Sequence, residues 1–233
     1  MIDNVFLNKI YKCDCMEDMK SLDELSVDMI LTDIPYGEVT KNGAERAKYD
    51  GQLRNINKGA ADTLTFDLDT FLEQCTRITK GSIYIFCGIE QVSKIYSYFD
   101  NHKDFMVRQC GWRKTNPSPA NGQHMWLSSM ENCIFAKRRK TKFNQSCKNA
   151  IWDFPVGRSK RHPTEKPLKL FEYLIESSTD EGDIVLDPCI GSGTTAEACI
   201  NLNRKYIGYE INDEYYKIAK ERINDVHNKE QIV

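Results

Sequence analysis

The sequence holds no run approaching the roughly 18 consecutive apolar residues that a membrane helix needs. Its first residues, MIDNVFLNKIYKCDCMED, also lack the basic and then apolar layout of a secretory leader. Membrane spanning and secretion are therefore excluded as working expectations, and a cytoplasmic protein is expected. Histidine is scarce, at four residues, and the nine cysteines include no CxxC pair and no His/Cys spacing of a zinc site, so no metal centre is expected. An odd number of cysteines, scattered singly apart from Cys13 and Cys15, reads as free thiols in a reducing compartment. Internal repeats and low-complexity linkers are missing too, so the 233 residues are expected to form one domain around one sizeable core.

Acidic charge is thin in one part of the chain. Residues 101–170 carry fifteen Lys/Arg against four Asp/Glu, a net of +11, which leaves the remainder at −13. The run Lys137-Arg138-Arg139-Lys140, taken alone, reads equally well as a solvated strand end or turn. An excess sustained over the whole segment favours a polyanionic partner.

Hydrophobic periodicity alternates between strands and helices, the pattern of an α/β fold. Strands are expected over 27–32, 82–86, 105–112, 132–136, 183–186 and 205–209, with a first strand in NKIYK. Helices are expected near 15–21, 67–78, 91–102, 167–177, 194–202 and 213–224. From Gly37 to Thr65 the pattern fails, and that polar stretch is either a functional lid, mobile without its substrate, or a disordered insertion.

Three segments carry chemistry. In DIVLDPCIGSGTTAEACINLNRKYIGYEIN, residues 183–212, a buried strand leads through a glycine turn into a helix and on to a second strand ending in Glu210. Gly191, Gly193 and Ala196 match the GxGxxG/A spacing, and Glu210 is placed to accept from both hydroxyls of a ribose. The missing Lys of GxxxxGK[ST] argues against a triphosphate loop. The second segment, Asp33-Ile34-Pro35-Tyr36, follows the strand VDMILT and can face the same crevice beyond the carboxyl ends of the strands. The third is His162-Pro163-Thr164-Glu165-Lys166-Pro167, which on its own reads as a loop entering a helix.

Together these residues resemble the DNA amino-methyltransferases, which methylate the exocyclic amine of adenine or cytosine with S-adenosylmethionine. The family's DPPY appears as DIPY, its HPTxKP as HPTEKP and its DPFxGSGTT as DPCIGSGTT, in the permuted order of the β group. The resemblance implies a Rossmann-like S-adenosylmethionine-dependent methyltransferase fold, a mixed, mostly parallel sheet of seven strands with helices on both faces. It divides the chain into a catalytic DIPY part over 1–119, a target-recognition insert over about 120–161 and a cofactor part over 162–233.

By the same resemblance the Asp33 side chain and the Ile34 carbonyl accept the two amine protons, Pro35 shapes the turn and Tyr36 stacks on the flipped base. An Asp in the first position resembles the adenine-N6 enzymes more than the cytosine-N4 ones. Ile34, standing where proline is usual, brings an N–H and a freer φ and predicts a looser loop. Asp14 and Cys15, Thr164 and Lys166, Asp187, Cys189, and Gly191, Ser192, Gly193, Thr194 and Thr195 would surround S-adenosylmethionine, with Glu210 on the ribose. Asp14 reads equally as a helix cap, and Cys189 as packing rather than as a nucleophile.

Trp112, Arg113, Lys114 and Asn116 resemble the family's target-base pocket, while Arg138, Arg139, Lys140, Arg158 and Arg161 would contact DNA. Trp112 reads equally as a core residue. A restriction endonuclease partner, a homodimer and an RNA substrate stay open. The competing readings are a nicotinamide or flavin oxidoreductase, which leaves DIPY, HPTEKP and the basic segment unexplained, and a DNA-binding homologue without activity.

Overall fold

The computed structural model describes residues 6–36, 66–119, 122–157 and 165–230. Eight strands appear among them: β1 Lys9–Tyr11, β2 Val27–Asp33, β3 Thr79–Cys87, β4 Phe105–Lys114, β5 Met130–Arg138, β6 Ile151–Phe154, β7 Ile184–Asp187 and β8 Lys205–Tyr209. They form one sheet in the order β1-β8-β7-β2-β3-β5-β4-β6. β5 is antiparallel to both its neighbours and every other pairing is parallel, so one strand is reversed. The sheet has eight strands instead of the expected seven because IWDF, only four residues long, adds β6 at the edge beyond β4.

The helices among the described residues are α1 Cys15–Met19, α2 Leu68–Ile78, α3 Ile89–Asp100, α4 Leu168–Ser178, α5 Thr194–Asn201 and α6 Asp213–Glu230. They cover both faces. Met19, Phe71, Leu72, Ile95 and Phe99 from α1, α2 and α3 pack with Ile30 and Ile83 on one side. Leu170, Leu174, Ala196, Ala219 and Ile223 from α4, α5 and α6 pack with Met29, Leu31 and Val185 on the other. Alternate residues of β2 feed the two layers, the signature of a central strand buried on both faces. Each such Ile, Leu or Phe contributes about 1.5–3 kcal/mol by leaving water.

The chain leaves β2 toward β3 in one direction and returns through β7 and β8 in the other, so the sheet's switch point lies between β2 and β7. A crevice opens there beyond the carboxyl ends of the parallel strands. Its position depends on the register of β2 against β3, which shifts between Val27 and Met29. At the shift a Cβ on Gly81 would stand 2.2 Å from the Asp28 carbonyl oxygen. Backbone cannot yield as a side chain can, so Gly81→Ala is expected to lower unfolding free energy in urea by about 2 kcal/mol or more; a loss under about 0.5 kcal/mol would contradict this account of the register.

Candidate active site

A cavity of about 860 Å³ opens at the switch point, lined by Asp14 and Cys15 after β1, the DIPY turn after β2, Asp187 to Ser192 after β7 and Glu210 after β8. The same space continues along Trp112, Lys114, Asn116 and Glu131 of the β4 and β5 region. The glycine loop, the DIPY turn and the expected base pocket thus share one enclosure.

The DIPY turn is held from three directions. The Ile34 N–H donates to the Phe86 carbonyl at 3.2 Å, and the Ile34 side chain is buried in the core beside α2 and α3. Proline could not make that bond, so the expected looseness is reversed: the N–H that Ile34 adds extends the β2–β3 ladder by one rung. Gln91 of α3 donates its amide to the Pro35 carbonyl at 2.9 Å while its own oxygen accepts the Gly88 N–H at 2.9 Å.

Asp33 sits at the centre of a charge-alternating chain. Its Oδ2 accepts from the Lys166 ammonium and its Oδ1 accepts from the Tyr36 hydroxyl at 2.9 Å. Lys166 also reaches Glu131 Oε2 at 3.0 Å, and Glu131 Oε1 pairs with Lys114 at 2.8 Å. Lys166 is only 6% exposed. One buried and one half-buried cation balance two carboxylates, the condition under which such charges persist. Burial pushes the Asp33 carboxyl upward, with Glu131 adding to the rise and the Lys166 ammonium and the Tyr36 hydroxyl opposing it. Burial beside Asp33 and Glu131 pushes the Tyr36 hydroxyl well up, so it remains a donor. Lys166, expected on the methionine end of a cofactor, lines the cavity and is paired with Asp33 and Glu131, because the segment before α4 lies against the DIPY turn.

On the glycine loop, Asp187 is buried and accepts from the Thr195 hydroxyl and, at 3.1 Å, the Cys189 N–H; burial pushes its carboxyl up to about 7. Glu210 accepts the Gly191 N–H at 3.0 Å and the Asn212 N–H at 2.7 Å, and burial raises it too. Gly191 and Gly193 have φ of +53° and +84°, and a Cβ on Gly193 would press on Ala219 of α6 at 3.1 Å. Gly191 lets the loop turn, and Gly193 lets α5 and α6 approach. Asp14 caps α1, accepting the Met16 N–H at 2.9 Å, while facing the cavity, so both its expected roles share one position. Cys189 is held well up, by a hydrogen bond with Cys15 and by burial, which keeps it a thiol.

Asp187 gives a pH prediction. Its carboxyl rises from 3.8 unfolded to about 7 folded, so the native state binds the extra proton and this contribution to stability is lost as pH rises from about 4 to 7. Asp187→Asn is expected to gain on the wild type by up to about 4 kcal/mol at pH 8 relative to pH 4 in urea unfolding of ligand-free protein; a pH-independent difference between the two would contradict it.

The expected nucleic-acid residues separate into two groups. Trp112 is buried, its Nε1 donating to the Phe154 carbonyl at 2.8 Å, and it still lines the cavity; Lys114 and Asn116 line it as well. Asn116 is pinned on Val156, which donates its N–H to Asn116 Oδ1 at 2.6 Å. Arg113 points to the other face of β4, forked on Asp153 with both contacts at 2.6 Å. Arg138, Arg139 and Lys140 lie at the opposite end of the sheet. Because β5 is antiparallel, Glu131 is at the cavity and Arg138, seven residues on, is roughly 23 Å away. Arg138 donates to the Thr76 and Thr79 carbonyls at 2.7 and 2.8 Å, and Arg139 to the Lys103 carbonyl at 2.8 Å; Lys140, at φ +66°, forms the turn. These three stand at the end of the sheet away from the cavity, where Arg138 and Arg139 hold backbone carbonyls of neighbouring segments. The expected lid over 37–65, Thr164, Arg158 and Arg161 lie outside the described residues.

Two charged residues that brace the site carry no motif in the sequence. Glu131 stands at the mouth of β5, where a carboxylate just before NCIFA was the available signal. Arg222, 5% exposed, lies on the buried stripe of α6 with Ala219, Ile223 and Val226, and a charge on such a stripe was the signal missed. It binds Glu197 of α5, Glu165 at 2.8 Å and the Thr194 hydroxyl at 3.0 Å, joining the glycine loop to the residue before Lys166.

Among curated proteins the chain is similar to the type II methyltransferase M.HpaI of Haemophilus parainfluenzae, 34% identical over 92% of this chain and 74% of that protein. It is also similar to M.HinfI of Haemophilus influenzae, 29% identical over 96% of this chain and 70% of that one. Among solved structures, the complex of M1.HpyAVI with SAM is 30% identical over 92% of this chain and 98% of that one, with a TM-score of 0.68. The fold is shared with the cytosine-N4-specific PvuII DNA methyltransferase at a TM-score of 0.70 and 18% identity, over 95% of this chain and 91% of that one. A sequence profile described as DNA methylase, for the N6 and N4 enzymes, matches residues 27–221, most of the sheet and all of the cavity's strands but β1, and the chain belongs to that family.

Proposed function

We propose that the protein transfers the methyl group of S-adenosylmethionine to the exocyclic N6 of adenine in DNA, with the base taken out of the stack and seated on the DIPY turn. The observation that carries this reading is the half-buried Asp33 carboxyl on the same cavity as the glycine loop, Asp187 and Glu210. The cavity's donor set suits the cofactor. Glu210 would hold the ribose hydroxyls, Asp14 the adenine amine, and Asp187 the methionine ammonium; a carboxyl raised by burial gains most from an incoming cation. When bound, S-adenosylmethionine supplies a methyl group already activated on a positively charged sulfur.

The protein's task is then the nucleophile. An aromatic amine is weak because its lone pair is delocalised into the ring. Asp33 Oδ1 and the Ile34 carbonyl would accept its two N–H bonds and turn that pair outward. Lys166 opposes the rise that burial imposes on the Asp33 carboxyl and so favours its ionised form, and that carboxylate would take the proton that the nitrogen sheds after transfer. The DNA would meet the open side of the cavity, where Trp126, 97% exposed, stands on the β4–β5 loop beside the cavity-lining Ser128; an exposed ring there suits base stacking.

The test is transfer of tritium from methyl-labelled S-adenosylmethionine into double-stranded DNA, with a thermal shift by S-adenosylhomocysteine but not by NAD. A shift with NAD alone would overturn the reading in favour of an oxidoreductase.

A further inference from the structure

Asp33 is already occupied. Its Oδ1 accepts the Tyr36 hydroxyl at 2.9 Å and its Oδ2 the Lys166 ammonium, so in the absence of DNA each oxygen already holds one donor, and an amine arriving at Oδ1 has to share that oxygen with the phenol. Both donors have a second acceptor in reach, and it is the same atom. Glu131 Oε2 lies 3.3 Å from the Tyr36 hydroxyl and 3.0 Å from Lys166 Nζ. A hydroxyl has one proton and can serve one carboxylate at a time. Glu131 in turn is fixed by Lys114 at 2.8 Å on its other oxygen, and its side chain is 20% exposed. Burial alone would raise this carboxyl, yet the two lysines and their hydrogen bonds hold it below the usual glutamate value, so it is a charged acceptor at neutral pH.

We propose that Glu131 is a positioning residue that takes over the Tyr36 hydroxyl as the target base enters, freeing Asp33 Oδ1 to accept the amine N–H. The inference rests on the reading of Asp33 as the amine acceptor. The exchange moves one hydrogen bond between two carboxylates across the face of the same phenol, leaves every charge paired and requires no movement of the backbone. Lys166 stays on Asp33 Oδ2 throughout, so its charge goes on favouring the ionised carboxylate. Without a charged Glu131 the hydroxyl has no equivalent acceptor and competes with the substrate for Oδ1, which slows the chemical step and leaves DNA binding through the phosphates untouched.

The test is a double-mutant cycle on purified enzyme with its DNA substrate, read as separate kcat and KM values. Glu131→Gln keeps the shape and removes the charge. It is expected to lower kcat about ten-fold with KM for DNA within about two-fold of wild type. In a Tyr36→Phe background, where the ring remains and no hydroxyl competes for Asp33, the same substitution is expected to cost less than about three-fold. Should the glutamine variant not fold, Glu131→Asp serves in its place, since it keeps the counter-charge to both lysines and draws the oxygen away from the phenol; the same pattern is expected. A kcat loss equal in the two backgrounds, or no loss in either, overturns the proposal. A wild type that methylates no DNA overturns the proposed DNA methylation on which this inference rests, so the two failures are distinguishable.

Discussion

Asp33→Ala is expected to lower kcat for methyl transfer by about a thousand-fold, with S-adenosylhomocysteine binding unchanged within about two-fold. The carboxylate is an acceptor directed at the amine, and its removal takes away both the orientation of the nitrogen and the site for the departing proton. Binding survives because the groups around Glu210 and Asp187 belong to other strands and keep their own bonds. The fold survives because Lys166 retains Glu131 at 3.0 Å as a counter-charge. Asp33→Asn, which keeps an acceptor oxygen and loses the charge, is expected to fall between alanine and wild type. Steady-state kinetics with calorimetric titration separate these effects, and a kcat loss under ten-fold for Asp33→Ala would show that the amine is held elsewhere.

Arg222→Met carries the largest expected cost in stability, about 3–5 kcal/mol. The guanidinium holds Glu197 and Glu165, whose side chains are 18% and 12% exposed, and a methionine would leave two carboxylates facing each other in a poorly solvated place. Lysine is not expected to restore it, since one ammonium cannot reproduce the fork that spans α5, the glycine loop and Glu165. Activity is expected to fall as well, because Glu165 precedes Lys166 and fixes its approach to Asp33. Urea unfolding at pH 7 checks the first effect and kcat the second; a loss below about 1 kcal/mol would mean that the cluster is solvated in solution.

Much of this architecture is readable in the amino-acid order because local and global preferences agree. VDMILT, SIYIF and DIVLD are apolar runs that can sit only between two layers of helices, and each became a central strand. Pro167 enters a helix at 168 and Gly193 starts another at 194, as their backbone preferences dictate. β6 escaped because IWDF is short, and its partner among the described residues is β4, far from it in sequence. The fate of the basic run at 137–140 depended on the direction of β5. A charge cluster has no period that reveals which end of the sheet it reaches, and the antiparallel pairing took it to the wrong end for the cavity. Glu131 and Arg222 were missed for a related reason: their partners come from β4, α5 and the segment before α4, and only the folded chain brings them together. Ile34 shows the reverse case, a departure from a familiar motif whose compensation, the bond to Phe86, is visible only in the ladder.

The most direct test of the account is incubation of the wild type and Asp33→Ala with S-adenosylmethionine and DNA from a host without methylation, followed by digestion to nucleosides and mass spectrometry. The account predicts N6-methyladenine with the wild type and none with the variant. N4-methylcytosine in its place would contradict the assignment of the base, and the absence of any methylated nucleoside in DNA despite cofactor binding would contradict the assignment of DNA as the substrate.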